Sequence, residues 1–276
     1  MSRADLGTAL DWAAAEGWNP GLDDTDAFLA ADPEGFLVGI LGGEPVACIS
    51  VVNYGDGFSF LGLYICRPDF RGRGFGRALW QAGLTHAGTR TIGLDGVVAE
   101  QARYAAEGFS LAYRNVRYGG IATASEIGDA RIVELRPGRP NGLAGAVAAY
   151  DAPFFPGPRQ GFLRAWVMPP GRRTVAWVEE NSIKGYASVR ACREGYKVGP
   201  LIADSELVAD RLLGALVGRL RGAAIFIDVP EPNPAASAMA RRHGLAPAFE
   251  TARMYRGTPP VLPLGRIFGV TTLELG

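Results

Sequence analysis

The sequence predicts an α/β chain of two similar lobes in tandem, each a mixed, mainly antiparallel sheet flanked by helices. Three observations carry that prediction. An apolar strand at 58–66 runs into a loop dense in glycine and arginine, and a helix begins directly after it with Phe75, Leu79 and Ala82 at helical spacing. Before and after this unit, strand and helix patterns follow one another closely. A shift of about 137 residues then brings the second half of the chain into weak register with the first.

In order, residues 4–15 read as a helix that ends in the turn Gly17-Trp18-Asn19-Pro20-Gly21, and Asp23 or Asp24 is expected to cap a short helix running to Asp32-Pro33. Segments 36–41 and 46–52 are strands joined by Gly42-Gly43-Glu44-Pro45, a hairpin signal. After strand 58–66 and the loop-to-helix unit come a strand at 91–98 and a short helix at 100–107. Two strands are expected at 109–113 and 115–118.

The loop Arg71-Gly72-Arg73-Gly74-Phe75-Gly76-Arg77 carries the first chemistry. Its glycines let backbone approach a ligand closely and turn several N–H groups the same way. The helix N-terminus adds partial positive charge, and four arginines between positions 67 and 77 add more. Such a site suits a pyrophosphate. The glycines alternate, so the dinucleotide-binding GxGxxG spacing does not fit. No Gly-Lys-Ser/Thr follows, so the phosphate loop of nucleotide hydrolases does not fit either.

The pattern R/Q-x-x-G-x-G, read as Arg71, Gly74 and Gly76 three residues after Pro68, resembles the acyl-CoA pyrophosphate loop of the GNAT (Gcn5-related N-acetyltransferase) superfamily. A second mark, Tyr104-Ala105-Ala106-Glu107-Gly108-Phe109, is similar to the Y-x-x-x-G-F segment of many GNAT enzymes. The order of elements resembles the GNAT core without its first strand, which would lie at or before Met1. The resemblance implies acetyl-CoA as co-substrate. Backbone groups of Tyr64, Ile65 and Cys66 would pair with the pantetheine arm, and the N–H groups of Gly72, Arg73, Gly74, Phe75, Gly76 and Arg77 would take the phosphates. Tyr104 would protonate or stabilise the departing thiolate. The asparagine often found upstream of that helix in the family is not evident.

The resemblance also places the turn between the first two helices beside the acceptor groove. Trp18 and Asn19 are therefore substrate-binding candidates, although Trp18 suits equally an anchor for the turn. No general base is evident: the position occupied by a glutamate in some relatives is Phe60, leaving Asp95, Glu100, a residue of the other half or a water chain. His86 sits near a helix end, where it suits the dipole. Two readings stay open, an N-acetyltransferase in which an amine attacks the thioester directly, and an acyl-CoA-binding regulatory module without turnover.

In the second half, residues 174–189 repeat the hairpin, and 196–203, 205–220, 225–229 and 234–242 repeat strand, helix, strand and helix, with Ser205 as a cap. A first strand at 132–135 and helices at 142–150 and 160–168 precede them, and the tail 265–276 would complete the second sheet. The chemistry does not repeat. Ala203-Asp204-Ser205-Glu206 stands where the glycine loop should be, and Ala240 stands at the tyrosine position. The division expected is an acyl-CoA-binding domain over 1–127 and a GNAT-like domain without the loop over 128–276, with the acceptor between them.

Balanced charge, 28 basic against 28 acidic residues, gives no case for nucleic acid or a membrane surface. Cys48, Cys66 and Cys192 have no metal-ligand spacing and read as free thiols of a cytoplasmic protein, with no metal implied. The sequence leaves the acceptor, a small-molecule or peptide amine, and the oligomeric state open.

Overall fold

The computed structural model describes residues 1–123, 128–136, 142–169 and 171–276. The N-terminal half runs α1 (Arg3–Ala15), α2 (Asp24–Ala31), β1 (Phe36–Leu41), β2 (Glu44–Tyr54), β3 (Phe58–Cys66), α3 (Phe75–Ala87), β4 (Thr91–Val97), α4 (Gln101–Ala106) and β5 (Ser110–Ile121). The C-terminal half follows as β6 (Ile132–Glu134), α5 (Leu143–Asp151), α6 (Gln160–Val167), β7 (Arg172–Glu179), β8 (Ser182–Ala191), β9 (Tyr196–Ala203), α7 (Glu206–Val217), β10 (Ala224–Pro230), α8 (Pro234–Arg242), β11 (Ala246–Arg256) and β12 (Ile267–Gly269). Helix α1 shows how locally these elements are specified. Ser2 and Asp5 form a reciprocal capping box, and Leu6, Ala9, Leu10 and Ala13 recur at helical spacing on its buried face.

The two lobes share one sheet, in the order β1-β2-β3-β4-β11-β5-β10-β9-β8-β7-β6. Each half gives its last long strand to the other. Strand β11 lies between β4 and β5, and β5 lies between β11 and β10. This exchange explains why β5 is one unbroken strand where two were expected. Arg114, the apparent break, faces Glu250 of β11 at 3.6 Å on the surface, and pairing on both sides carries the strand through. The expected boundary between 127 and 128 lies at the edge of the described residues, 124–127 being outside them.

On one face of the sheet, α3 and α4 cover an N-terminal cluster around Trp80, while α7 and α8 cover a separate C-terminal one around Leu212 and Met239. On the other face α1, α2, α5 and α6 build a single core from both halves. There Phe28 stacks on Trp166 at 6.3 Å, and the Trp166 indole donates to the Gly199 carbonyl at 3.0 Å.

Beside Trp166 lies a buried ion cluster. Of the two expected caps, Asp23 takes the N-cap position of α2 without a side-chain cap bond, and Asp24 accepts from Arg172 at 2.7 Å, faces Arg190 at 3.1 Å and takes the Gly21 N–H at 2.8 Å. Both guanidinium groups lie over the Trp166 ring, at 3.8 and 4.4 Å from its centroid. Nearby, Arg117 holds Asp228 through two bonds of 2.7 and 3.0 Å. Burial raises both carboxyls, but Arg190 and Arg172 at Asp24, and Arg117 at Asp228, outweigh it and hold them below 3.8.

A depressed carboxyl contributes stability above its unfolded pKa and loses it as pH falls through the folded one. The contribution of Asp24 and Asp228 is therefore present at neutral pH and lost downward from 3.8. Urea unfolding at successive pH values should show stability falling as the pH drops below about 4. A stability independent of pH there would mean these pairs contribute nothing to folding.

Candidate active site

Strand β3 ends in the turn Pro68–Phe70, after which the glycine loop begins. Arg71 pins its start, with Nε donating to the Cys66 carbonyl at 2.9 Å and a terminal nitrogen to Glu16 at 2.7 Å. Gly72 and Gly74 have φ of 74° and 88°, a backbone region that strains any side chain, and Gly74 leads directly into α3. The first-turn N–H groups of α3 have no intrahelical acceptors, and no acidic residue sits in that turn. Arg73 lies over both Phe70 and Phe75 at 5.2 Å, and Arg77, mostly exposed, stands 3.8 Å from Glu107. The loop thus presents free donors and cationic side chains together.

Next to it the sheet parts. Strand β3 pairs with β4 from Phe58 to Leu61 only, so its second half leaves backbone groups without that neighbour. Leu63, at φ 45°, marks an irregularity in the same stretch, where pairing with β2 also shifts register. The gap opens into a cavity of about 520 Å³ including its mouth. Its N-terminal walls are Leu61 to Tyr64, Leu94, Asp95, Val97, Tyr104 and Trp18. Phe249 and Thr251 of β11, with Leu273 and Glu274 of the tail, close it from the other half.

Tyr104 is buried, stacked on Trp80 at 5.8 Å and set edge-on to Phe109 at 6.4 Å. Gly96 makes room for its ring: a Cβ there would come within 2.8 Å of it. Burial, reinforced by Glu100, raises the phenol well above its usual value of 10.0, so it is protonated at neutral pH and can donate. The Tyr64 phenol is raised as well, chiefly by burial, and it packs against Gly76, where a Cβ would sit 2.9 Å from its oxygen.

Trp18, Tyr64 and Tyr104 therefore meet in one cavity, with Arg71 to Arg77 in the adjoining loop and the Ile65–Cys66 backbone leading to it. Asn19 is not in its lining. The Asn19 amide instead brackets Glu194, donating to its carbonyl at 2.8 Å and accepting from its N–H at 3.1 Å. The Trp18 carbonyl accepts from buried Arg117 of β5 at 2.9 Å and from Lys197 of the second lobe at 3.2 Å, so the turn is anchored to both, and Trp18 also lines the cavity.

The carboxylates considered from sequence are committed elsewhere. Glu100 pairs with Arg103 at 2.9 Å, and Asp95 is held by Arg253 at 2.9 and 2.7 Å and by Asn115 at 2.8 Å. His86 contacts Asp32 at 2.9 Å. Sequence reasoning missed Phe249, Thr251 and Glu274, which only the strand exchange and the path of the tail bring to the cavity.

The corresponding gap in the second half is filled. Strands β9 and β10 pair only over Tyr196 to Val198 and Ile225 to Ile227, and β12 adds to β9 beyond that point at Leu201 and Ile202. The Val270 N–H bonds the Asp228 carbonyl at 2.9 Å, tying the tail to β10 as well. Ser205 caps α7 through the Val208 N–H at 3.3 Å, and Asp204 accepts from the Tyr150 hydroxyl at 2.6 Å. Ala240 lies buried within the local core.

Comparison with known proteins agrees with this layout. The acetyltransferase (GNAT) family profile matches residues 5–109, and an acetyltransferase (GNAT) domain profile matches 147–269. Holothin acyltransferase of Pseudoalteromonas sp. (strain SANK 73390) is 32% identical over 270 residues, covering 96% of this chain and 90% of that protein. The chain belongs to the GNAT acyltransferase family. It is an acyltransferase, and the family generally uses acetyl-CoA.

Among solved structures, a candidate acetyltransferase from Pyrococcus horikoshii superposes with a TM-score of 0.76 at 25% identity, covering 92% of this chain and 84% of that one. A tandem GNAT protein from the clavulanic acid biosynthesis pathway shares the fold with a TM-score of 0.63 at 18% identity, over 95% of this chain and 98% of that one. Among the described residues no group of side chains is arranged to hold a metal, and no helix is long and apolar enough to cross a membrane.

Proposed function

We propose that this GNAT protein transfers an acetyl group from acetyl-CoA to a primary amine by direct attack in a ternary complex. The observation that carries the reading is the meeting of the loop's free donors, the unpaired half of β3 and the protonated Tyr104 around one cavity. The domain over 1–127 holds the donor, with backbone N–H groups of Gly72 to Arg77 on the pyrophosphate and Tyr64 to Cys66 along the pantetheine arm. The domain over 128–276 holds no CoA of its own. Its loop is acidic and side-chain-capped, and its groove is occupied by β12.

The amine nitrogen forms a bond to the thioester carbonyl carbon, the carbon–sulfur bond breaks, and Tyr104 gives its proton to the sulfur. A cysteine acyl-enzyme is disfavoured: Cys66, at the end of β3, has no histidine to activate it, since His86 contacts Asp32 and His243 contacts Asp210, and burial raises the Cys48 thiol to about 12. Trp18, Tyr64, Tyr104 and Phe249 make the cavity aromatic, which suits a compact amine with an apolar body. One relative is named a holothin acyltransferase, so holothin belongs in the acceptor panel.

The test is thermal unfolding with acetyl-CoA, followed by an amine screen. Saturable stabilisation of the wild type is expected, and Arg71→Glu/Gly74→Glu should weaken binding at least about tenfold by placing two negative charges at the phosphate site. Equal stabilisation of both proteins would move the donor site off this loop.

A further inference from the structure

No general base is evident in the N-terminal half, and the tail of the C-terminal half reaches its cavity. After β12 the chain crosses the sheet and lies against β3, so closely that a Cβ on Gly62 would fall 2.1 Å from the Glu274 carbonyl oxygen. This brings Glu274, 3% exposed, into the lining of the cavity, with Lys197, Arg190, Arg117 and Asp24 as the charges around its carboxyl. One carboxylate oxygen accepts from the Thr272 hydroxyl, and the other, Oε1, has no hydrogen-bond partner among the described residues. The Thr251 hydroxyl, lining the same cavity from β11, is also buried and unpartnered. Leaving a carboxylate oxygen buried and unbonded costs free energy that a cationic or N–H-bearing ligand would recover.

We infer that Glu274 binds the acceptor amine and takes its proton, with Thr251 as a second polar contact, so that the C-terminal half completes the active site of the N-terminal one. The inference rests on the acetyltransferase reading above. An acceptor arriving as an ammonium ion passes one proton to Glu274. The freed lone pair then forms the C–N bond as the C–S bond breaks, Tyr104 protonates the sulfur, and the second nitrogen proton restores the Tyr104 phenol through water. Glu274 returns its proton to solvent.

The surroundings suit that cycle. Burial raises the Glu274 carboxyl above 4.5, while Lys197, Arg190 and Arg117 oppose the rise and Asp24 adds to it. Tyr64, Tyr104 and the Arg253-bound Asp95 line the same cavity. A carboxylate poised above its usual range accepts an ammonium proton more readily than a fully solvated one.

The test compares wild type, Glu274→Gln and Glu274→Asp in acetyl-CoA-induced thermal stabilisation and in kcat/KM across pH. Two acceptors are used, an alkylamine and an arylamine that is uncharged at neutral pH. Glu274→Gln should bind acetyl-CoA as the wild type does, lose about 10²-fold or more in kcat/KM for the alkylamine, lose less for the arylamine, and lack the acidic limb of the wild-type pH profile. Glu274→Asp should recover part of the rate, and it decides the matter if the glutamine variant shows no acetyl-CoA stabilisation. A wild type that turns over while Glu274→Gln matches it at every pH overturns this role and leaves the acetyltransferase reading standing. A wild type that binds acetyl-CoA and acylates no amine overturns both.

Discussion

Asp24→Ala is expected to destabilise the protein by about 3–5 kcal/mol, because it leaves two buried guanidinium groups without their shared carboxylate. Arg172 and Arg190 are almost fully buried over Trp166, and neither can turn to water. Burial already lowers Arg172 to about 10, opposed chiefly by Asp24. Removing that anion leaves the repulsion between the two buried cations uncompensated and frees the Gly21 N–H of the turn that carries Trp18. Urea unfolding against an Asp26→Ala control checks it, since Asp26 makes only an exposed pair with Arg3. A loss no larger than the control's would mean that the cluster is not what joins the lobes.

Tyr104→Phe should lower kcat by about 10²–10⁴-fold while acetyl-CoA binding stays near the wild-type level. The ring packing against Trp80 and Phe109 and over Gly96 does not depend on the hydroxyl, so the fold is preserved. What disappears is the proposed proton donor, a hydroxyl of a residue that lines the cavity. Equal loss of acetyl-CoA stabilisation would assign Tyr104 to binding, and an unchanged kcat would remove it from the chemistry. Measured together with the alkylamine pH profile, this variant separates the acid limb of Glu274 from the contribution of the phenol.

The proposed donor side is readable in the sequence and the proposed acceptor side is not, for a physical reason. Arg71, Gly74, Gly76 and Tyr104 are placed by local geometry: a strand, a tight loop with positive φ, and a helix whose neighbours in space are near in sequence. The hairpins, α7 with its Ser205 cap and the helices of the second half were legible on the same grounds. Glu274 and Thr251 depend on contacts with the other half of the chain, and a tail reading Thr-Leu-Glu-Leu-Gly carries no local signature of a cavity wall. Asp24 shows the same limit from the other side. Its position just before an apolar helix suggested a cap, whereas partners at Arg172 and Arg190 draw its side chain inward.

The exchanged strands mean that the two halves cannot be treated as an enzyme and a detachable passenger. A fragment ending before residue 124 would retain the glycine loop, Tyr104 and the parted end of β3. Its β4 and β5, however, would face each other across the place of an absent strand, a separation of about 9–10 Å where sheet neighbours lie about 4.8 Å apart. Closing that space would force β5 to find a new register on β4, and leaving it open would present two unpaired edges to other molecules. The same holds for the second half without β5 beside β10. Truncation is therefore expected to yield aggregation-prone or rearranged sheets, and the smallest unit that can carry the acyl-transfer site is the pair.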